Sequence, residues 1–236
     1  MIFEAGLGTR LGKITEAVPK ALVEINGKTM LHIAVERCTR FGFDDIIVNV
    51  HHFAEMMENE IVTLRKLGYK LSVSDERNEL LETGGGLFHV RDFFDDKPFL
   101  VHNVDIISDL DLAALYHFHR EKKGLAMLAV RNRPANRVYL VDQPGRVRGW
   151  YNRNTGEEIL TGIPRETLSE IAFSSMHILE PEIFNYMKAG AYSLTSLYLE
   201  LAKDHEILTF RDDSGFWADI GTPENLEGVK QHFRNK

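Results

Sequence analysis

"EAGLGTRLGKITEAVPKAL", residues 4–22, decides how the rest of the chain reads. It sets two glycines, an arginine and a Pro-Lys pair directly behind the apolar opening "MIF". Glycines at 6 and 8 permit a tight bend and leave backbone N–H groups open to phosphate oxygens. Three phosphate-binding patterns compete for the stretch. A dinucleotide-binding turn needs G-x-G-x-x-G after a strand, and its third glycine position holds Leu11. An ATPase loop needs G-x-x-x-x-G-K-[ST]. Around Gly12-Lys13 both ends fail, with Leu7 at the first glycine and Ile14 at the hydroxyl. "GKT" at 27–29 has Leu22 where a glycine belongs, and "EINGKTM" reads as a strand–turn–helix connection. What survives is G-L-G-T-R-L followed after a short loop by P-K-A-L, a pattern suited to a nucleoside triphosphate. Arg10 offers a planar fork for the β/γ end, and Lys20 a point charge nearer the reacting phosphorus.

Outward from this loop, the apolar period alternates. "KTMLHIAVERCTRFG" (28–42) sets Met30, Ile33, Ala34, Cys38 and Phe41 on one helical face that stops at Gly42. "DIIVNV" (45–50), "KLSVSD" (70–75), "PFLVHNVD" (98–105) and "LAMLAVRN" (125–132) read as strands. Between them "AEMMENEIVTLRKLG" (54–68), "GLFHVRDFF" (86–94) and "LDLAALYHFHREKKG" (110–124) read as helices. This rhythm predicts an α/β fold, Rossmann-like, with a mixed and mostly parallel sheet flanked by helices. Ligand-binding residues of such sheets gather beyond the carboxyl ends of the strands, where Gly6–Arg10 and Asn103–Asp105 fall. After residue 132 the rhythm changes. "NRVYLVD" (136–142) and "GRVRGWY" (145–151) predict an antiparallel hairpin, and "IAFSSMHIL" (171–179) a further strand. "PEIFNYMKAG" and "SLTSLYLELAKD" read as helical, and "PENLEGVKQHFR" as a closing helix with Pro223 in its first turn. One domain over 1–236 with a small β-rich lobe is the expected organisation.

A formal net charge of −7 argues against a nucleic-acid partner, which calls for a basic stripe. No apolar run approaches the ~20 residues of a membrane span, and the N-terminus has no secretory pattern. Cys38 is the single cysteine, which excludes an intrachain disulfide and a Cys-rich zinc site. Together these readings predict a cytoplasmic protein.

The residues now quoted resemble the sugar-1-phosphate nucleotidyltransferases, whose signature is A-G-x-G-x-R-(L/M) after an apolar strand and later P-K-(A/P)-L. The likeness continues through "LLETGGGL" (80–87), "FLVHNVDII" (99–107), "IAFSSMHILEPEIF" (171–184) and "FWADIGTPENL" (216–226), nearly the whole chain. Within the family the chain looks most like N-acetylmuramate-1-phosphate uridylyltransferases and short mannose-1-phosphate guanylyltransferase-like enzymes. The resemblance implies that a sugar 1-phosphate attacks the α-phosphorus of an NTP, giving an NDP-sugar and pyrophosphate with Mg²⁺. UTP with N-acetylmuramate 1-phosphate is the first expectation, and GTP with mannose or heptose 1-phosphate the second. It implies that Gly6, Leu7, Gly8, Thr9 and Arg10 form the triphosphate loop, and that Lys20 bridges the α-phosphate and the incoming sugar phosphate. Gly84 and Gly85 match a turn whose backbone meets the nucleobase, with Glu79 nearby to read a base edge. Asn103 and Asp105 match an N-G-D motif whose aspartate binds magnesium, and Asp219 matches the second metal carboxylate. On this reading 1–132 is the nucleotide-binding part and 133–236 the part that binds the sugar phosphate. Singly, Asp105 reads as a strand-end cap and Asp219 as a turn former before Gly221; with the glycine loop they read as a pair.

Three residues depart from the family pattern. Glu4 stands where alanine is usual, Val104 replaces the glycine between Asn103 and Asp105, and His102 precedes that motif. Glu4 and Val104 motivate a rival expectation, a nucleotide-sugar-binding homologue with impaired catalysis. The pairs His51-His52 and His117/His119 lack the i, i+4 spacing of a helical zinc site and read as solvent-facing or capping residues.

Overall fold

The computed structural model describes residues 1–4 and 17–234, so Gly6, Leu7, Gly8, Thr9 and Arg10 lie outside the described residues. Along the chain come β1 (Ile2–Phe3), β2 (Glu24–Ile25), β3 (Lys28–Thr29), α1 (Met30–Arg40), β4 (Asp45–Val50), α2 (Ala54–Lys66) and β5 (Lys70–Asp75). There follow α3 (Glu82–His89), β6 (Phe99–Asn103), β7 (Ile106–Ser108), α4 (Leu112–Lys122), β8 (Ala126–Arg131), β9 (Arg137–Val141) and β10 (Val147–Asn152). The last are β11 (Glu158–Leu160), β12 (Ser169–Leu179), α5 (Leu194–Leu201), β13 (Ile207–Arg211), β14 (Trp217–Asp219) and α6 (Pro223–Arg234). They form two compact units. The first comprises Met1–Glu82, Val101–Leu110 and Gly215–Lys236, the second Thr83–Leu100 and Asp111–Ser214.

In the first unit all sheet pairings from β5 through β4 and β1 to β6 are parallel. Parallel pairing hides both faces of the central strands, which is why β4 is dominated by β-branched residues. Helix α1 starts at Thr29, whose Oγ1 accepts from His32 N at 3.0 Å, and buries Met30, Leu31, Ala34, Val35 and Cys38. It stops where predicted, at Gly42 with φ 84°. Ile33 and Phe41, expected on the same buried face, are only half-buried. "ING" forms a two-residue hairpin between β2 and β3, with Asn26 at φ 50° and Gly27 at φ 75°. Beyond β6 a short antiparallel ladder joins β7 to β14.

The second unit is the β-rich one. Its order β11-β10-β9-β12-β8-β13 is antiparallel except for the β8–β13 pair. The predicted hairpin is β9–β10. Its aromatic cluster stacks Phe94 on Phe99 at 4.0 Å and Phe99 on Phe184 at 5.5 Å. The mixed α/β sheet flanked by helices is therefore present. Local departures are informative: the helix expected over 86–94 runs over Glu82–His89, and Arg91–Phe93 and Pro181–Tyr186 are 3₁₀ turns. No helix among the described residues is long and apolar enough to cross a membrane.

Candidate functional site

At the carboxyl end of β6 the chain turns at once. Val104 N donates to Phe3 O at 2.9 Å, which ties the turn to the end of β1. Val104 is buried, so its extra bulk relative to glycine fills the interior. Asp105 O accepts from Ile220 N at 3.0 Å, and the β7–β14 ladder sets Asp219 opposite Ile106. Two aspartates far apart in sequence are thus carried on adjoining backbone in the first unit.

Lys20 completes the group, its Nζ 2.7 Å from Asp105 Oδ2, with side chains 12% and 21% exposed. Pro19 holds Lys20 at the start of a 3₁₀ turn, Lys20–Leu22, whose Ala21 is fully buried. The carboxylate therefore already binds a cation. Asp219 Oδ1 accepts from Gly221 N at 2.8 Å and Asn225 Nδ2 at 3.2 Å, so the turn-forming role is real as well. Its Oδ2 has no hydrogen-bond partner among the described residues. An oxygen-only donor set with two carboxylates fits magnesium, which fills the rest of its shell with phosphates and water. No group of three or more His, Cys, Asp or Glu among the described residues could hold a metal.

Asn103 sits half-buried at the end of β6, opposite Phe3 of β1. Glu79 is exposed, its N–H given to Glu76 O at 3.1 Å. Gly84 and Gly85, in the second unit, lie within α3 rather than in an open turn. Their N–H groups point at Tyr192 O at 2.7 and 3.4 Å, and Thr83 Oγ1 accepts from Leu194 N at 2.9 Å. A Cβ on Gly84 would fall 2.4 Å from Tyr192 Cε2 and 2.8 Å from its carbonyl oxygen. Gly84→Ala is expected to cost about 2–3 kcal/mol of stability in urea unfolding, as overpacking against backbone does. Tyr192→Ala in the same chain should recover only part of it, because the carbonyl stays in place. An unchanged unfolding midpoint in Gly84→Ala would contradict this packing.

Several residues carry more than the sequence suggested. Asn49, in the middle of the apolar run of β4, accepts from Glu4 N at 2.8 Å and donates to Glu76 Oε1 at 3.0 Å. Glu76 Oε2 accepts from Leu81 N at 3.4 Å. This clamp ties the residue that leads into the glycine loop to the stretch that leads into α3. Its only sequence signal is an amide inside a strand otherwise built to be buried. In the second unit β12 bulges opposite β8 between Phe173 and His177, and Ser175 adopts φ 59°. A non-glycine residue held there marks strain of the kind found at ligand sites. The Ser174-Ser175 doublet that interrupts the apolar alternation was the available sign.

Glu4 is buried, and desolvation pushes its carboxyl up to about 8. It forms no ion pair among the described residues. His102 is fully buried, with Nδ1 2.6 Å from Asn103 O and Nε2 without a partner. Desolvation, helped by the charge of Arg37, pulls it down to about 3, so it stays neutral. His119, expected to face solvent or to cap, is fully buried with Nε2 2.9 Å from Glu180 Oε1.

The sequence profile of the nucleotidyl transferase family matches residues 1–236. A UTP–glucose-1-phosphate uridylyltransferase from Synechocystis is 30% identical over 98% of this chain and 62% of its own length. An N-acetylmuramate alpha-1-phosphate uridylyltransferase from Caulobacter vibrioides is 30% identical over 95% of this chain and 92% of its own. A mannose-1-phosphate guanylyltransferase catalytic subunit beta from Drosophila pseudoobscura is 29% identical over 96% of this chain and 60% of its own. The chain thus spans less than two thirds of two of these relatives. Among solved structures, a UDP-glucose pyrophosphorylase complexed with UDP-glucose superposes with a TM-score of 0.75 at 18% identity, covering 99% and 97% of the two chains. At that identity the likeness speaks for the fold.

Proposed function

Because the chain belongs to the nucleotidyl transferase family, we propose that it transfers a nucleotidyl group from an NTP to a sugar 1-phosphate with Mg²⁺, releasing pyrophosphate. The observation that carries this reading is Lys20 bound to Asp105 with Asp219 on the adjoining strand. An oxygen of the sugar phosphate forms the new bond to the α-phosphorus as the bond from that phosphorus to the β-bridging oxygen breaks. The nucleophile is already an anion, so no general base is needed. The barrier lies in bringing two anions together and in the charge that collects on pyrophosphate. Lys20 offsets that charge at the reacting centre, and Arg10 with the glycine loop holds the β/γ end. Asp105 and Asp219 would hold the metal, which supplies charge neutralisation on the phosphate oxygens.

The second unit is the part we assign to the sugar phosphate, with the Ser175 bulge as its strained element. UTP and N-acetylmuramate 1-phosphate are the preferred pair, since the relative named for that reaction is matched over nearly its full length. GTP with mannose or heptose 1-phosphate is the second choice, on the strength of the guanylyltransferase relatives. The impaired-homologue reading is the weaker one: Val104 is accommodated in the interior, and burial pushes the Glu4 carboxyl up to about 8, which favours its neutral form at neutral pH. A matrix of four NTPs against these sugar 1-phosphates, followed by pyrophosphate release, tests the assignment. One strong, Mg²⁺-dependent combination is expected; silence across the matrix would overturn it.

A further inference from the structure

A cavity of about 460 Å³ opens in the first unit, and Lys20, Asn103, Asp105 and Asp219 are not among its walls. That volume lies in the range of small-molecule sites. Ile25 and Ile106 are buried beneath it, while the half-buried Ile33, Phe41 and Phe233 present apolar surface to it. Ile33 of α1 and Phe41 just past its end, which read as core, therefore face the cavity. Lys28 Nζ is satisfied by Glu36 Oε2 at 2.7 Å. Arg37 donates to Leu110 O, which fixes its guanidinium beside the cavity. Arg40, one helical turn on, is exposed and makes no hydrogen bond or ion pair among the described residues. Asp109 lies at the same opening.

The walls also reach the proposed reaction site. Ile106, Ile107 and Ser108 line the cavity directly after Asp105, and Ile106 is the ladder partner of Asp219. On the other side α6 contributes His232 and Phe233 and, through Asn225, holds Asp219 Oδ1. His232 is stacked on Phe216 at 3.8 Å, next to the start of β14.

We propose that this cavity binds a small organic anion with an apolar or aromatic body, its anionic group on Arg37 and Arg40 and its body among Ile33, Phe41 and Phe233. The occupant biases the two carboxylate-bearing segments through β7 and α6. The binding site stands without the reaction proposed above; its influence on turnover rests on that reading.

Phenyl phosphate is a suitable probe, followed by saturation-transfer NMR on the full chain, with inorganic phosphate and phenol as half-probes. A millimolar Kd is expected for a ligand of this size, and at least about 5-fold weaker binding of either half. Ile33→Trp fills the cavity and should abolish binding; Arg40→Glu, a surface change, should weaken it at least about 5-fold. Both variants should keep the parent's pyrophosphate release, and the probe should shift Mn²⁺ affinity in the parent but not in Ile33→Trp. If Ile33→Trp fails to fold, Arg40→Glu decides. Undetectable phenyl phosphate binding, or binding that survives in Arg40→Glu, overturns the proposal. A parent that binds the probe through Arg40 yet releases no pyrophosphate keeps the site and sinks only the reaction.

Discussion

Asp105→Asn is expected to lower kcat by about 10²–10³-fold, the scale of losing one preorganised electrostatic partner of the reacting phosphates. The same substitution should weaken Mn²⁺ binding by about 10-fold or more, measured by electron paramagnetic resonance without substrates. The reason lies in the pair that Asp105 already forms. Lys20 Nζ sits 2.7 Å from Oδ2, on a carboxylate with little access to water. An ammonium and a metal ion on the same carboxylate repel each other, so they compete for it, and the competition is reciprocal. Lys20→Ala should therefore raise Mn²⁺ affinity, by about 3–10-fold for an ion pair of this exposure, while turnover falls. That opposition separates the two roles proposed for Lys20: holding the carboxylate in the empty protein and neutralising phosphate in the loaded one. A general loss of structure would lower both quantities. Lys20→Ala with unchanged metal affinity, or Asp105→Asn with the parent's Mn²⁺ binding, would remove Asp105 from the metal site.

How much of this could be read beforehand depends on the length of the signal. The α/β alternation was legible because α1 and α2 each span several helical turns, and four of the six residues of β4 are Ile or Val. The Asn26-Gly27 turn was legible because its backbone demands those residues. The β7–β14 ladder was not: three residues a side carry no period, yet that ladder brings Asp219 to Asp105. The likeness of "WADIG" to a family motif pointed to Asp219, and periodicity did not. Gly84 and Gly85 misled in the other direction. Three successive glycines disfavour a helix by roughly 1 kcal/mol each, so they read as a turn. The close approach of Tyr192 overrides that preference and makes the absent Cβ a packing requirement. The cavity was invisible, because Ile33 and Phe41 carry the spacing of buried residues whatever lies opposite them.

Glu4→Gln should stabilise the protein increasingly as pH rises from about 4.5 to about 8, reaching roughly 5 kcal/mol and then levelling. The Glu4 carboxyl titrates near its ordinary 4.5 when unfolded and near 8 when folded, because burial disfavours the charged form. Between those values the folded chain holds one more proton than the unfolded chain, so the parent's stability falls with rising pH. Below pH 4.5 both states are protonated, and above 8 both are ionised. Glutamine keeps the shape and cannot titrate, so its own desolvation cost adds a constant offset and no slope. The slope of the difference between the two proteins, from urea unfolding at a series of pH values, is the measurement. Function should follow the same titration. Glu4 lies two residues before Gly6, and its N–H is clamped by Asn49 at 2.8 Å. Ionising it puts a negative charge beside the proposed triphosphate loop, so the parent's KM for NTP should climb above pH 8 while that of Glu4→Gln stays level. Parallel stability curves between pH 5 and 8 would mean that the Glu4 carboxyl is solvated in the folded protein, and the account of its neutrality would fall with them.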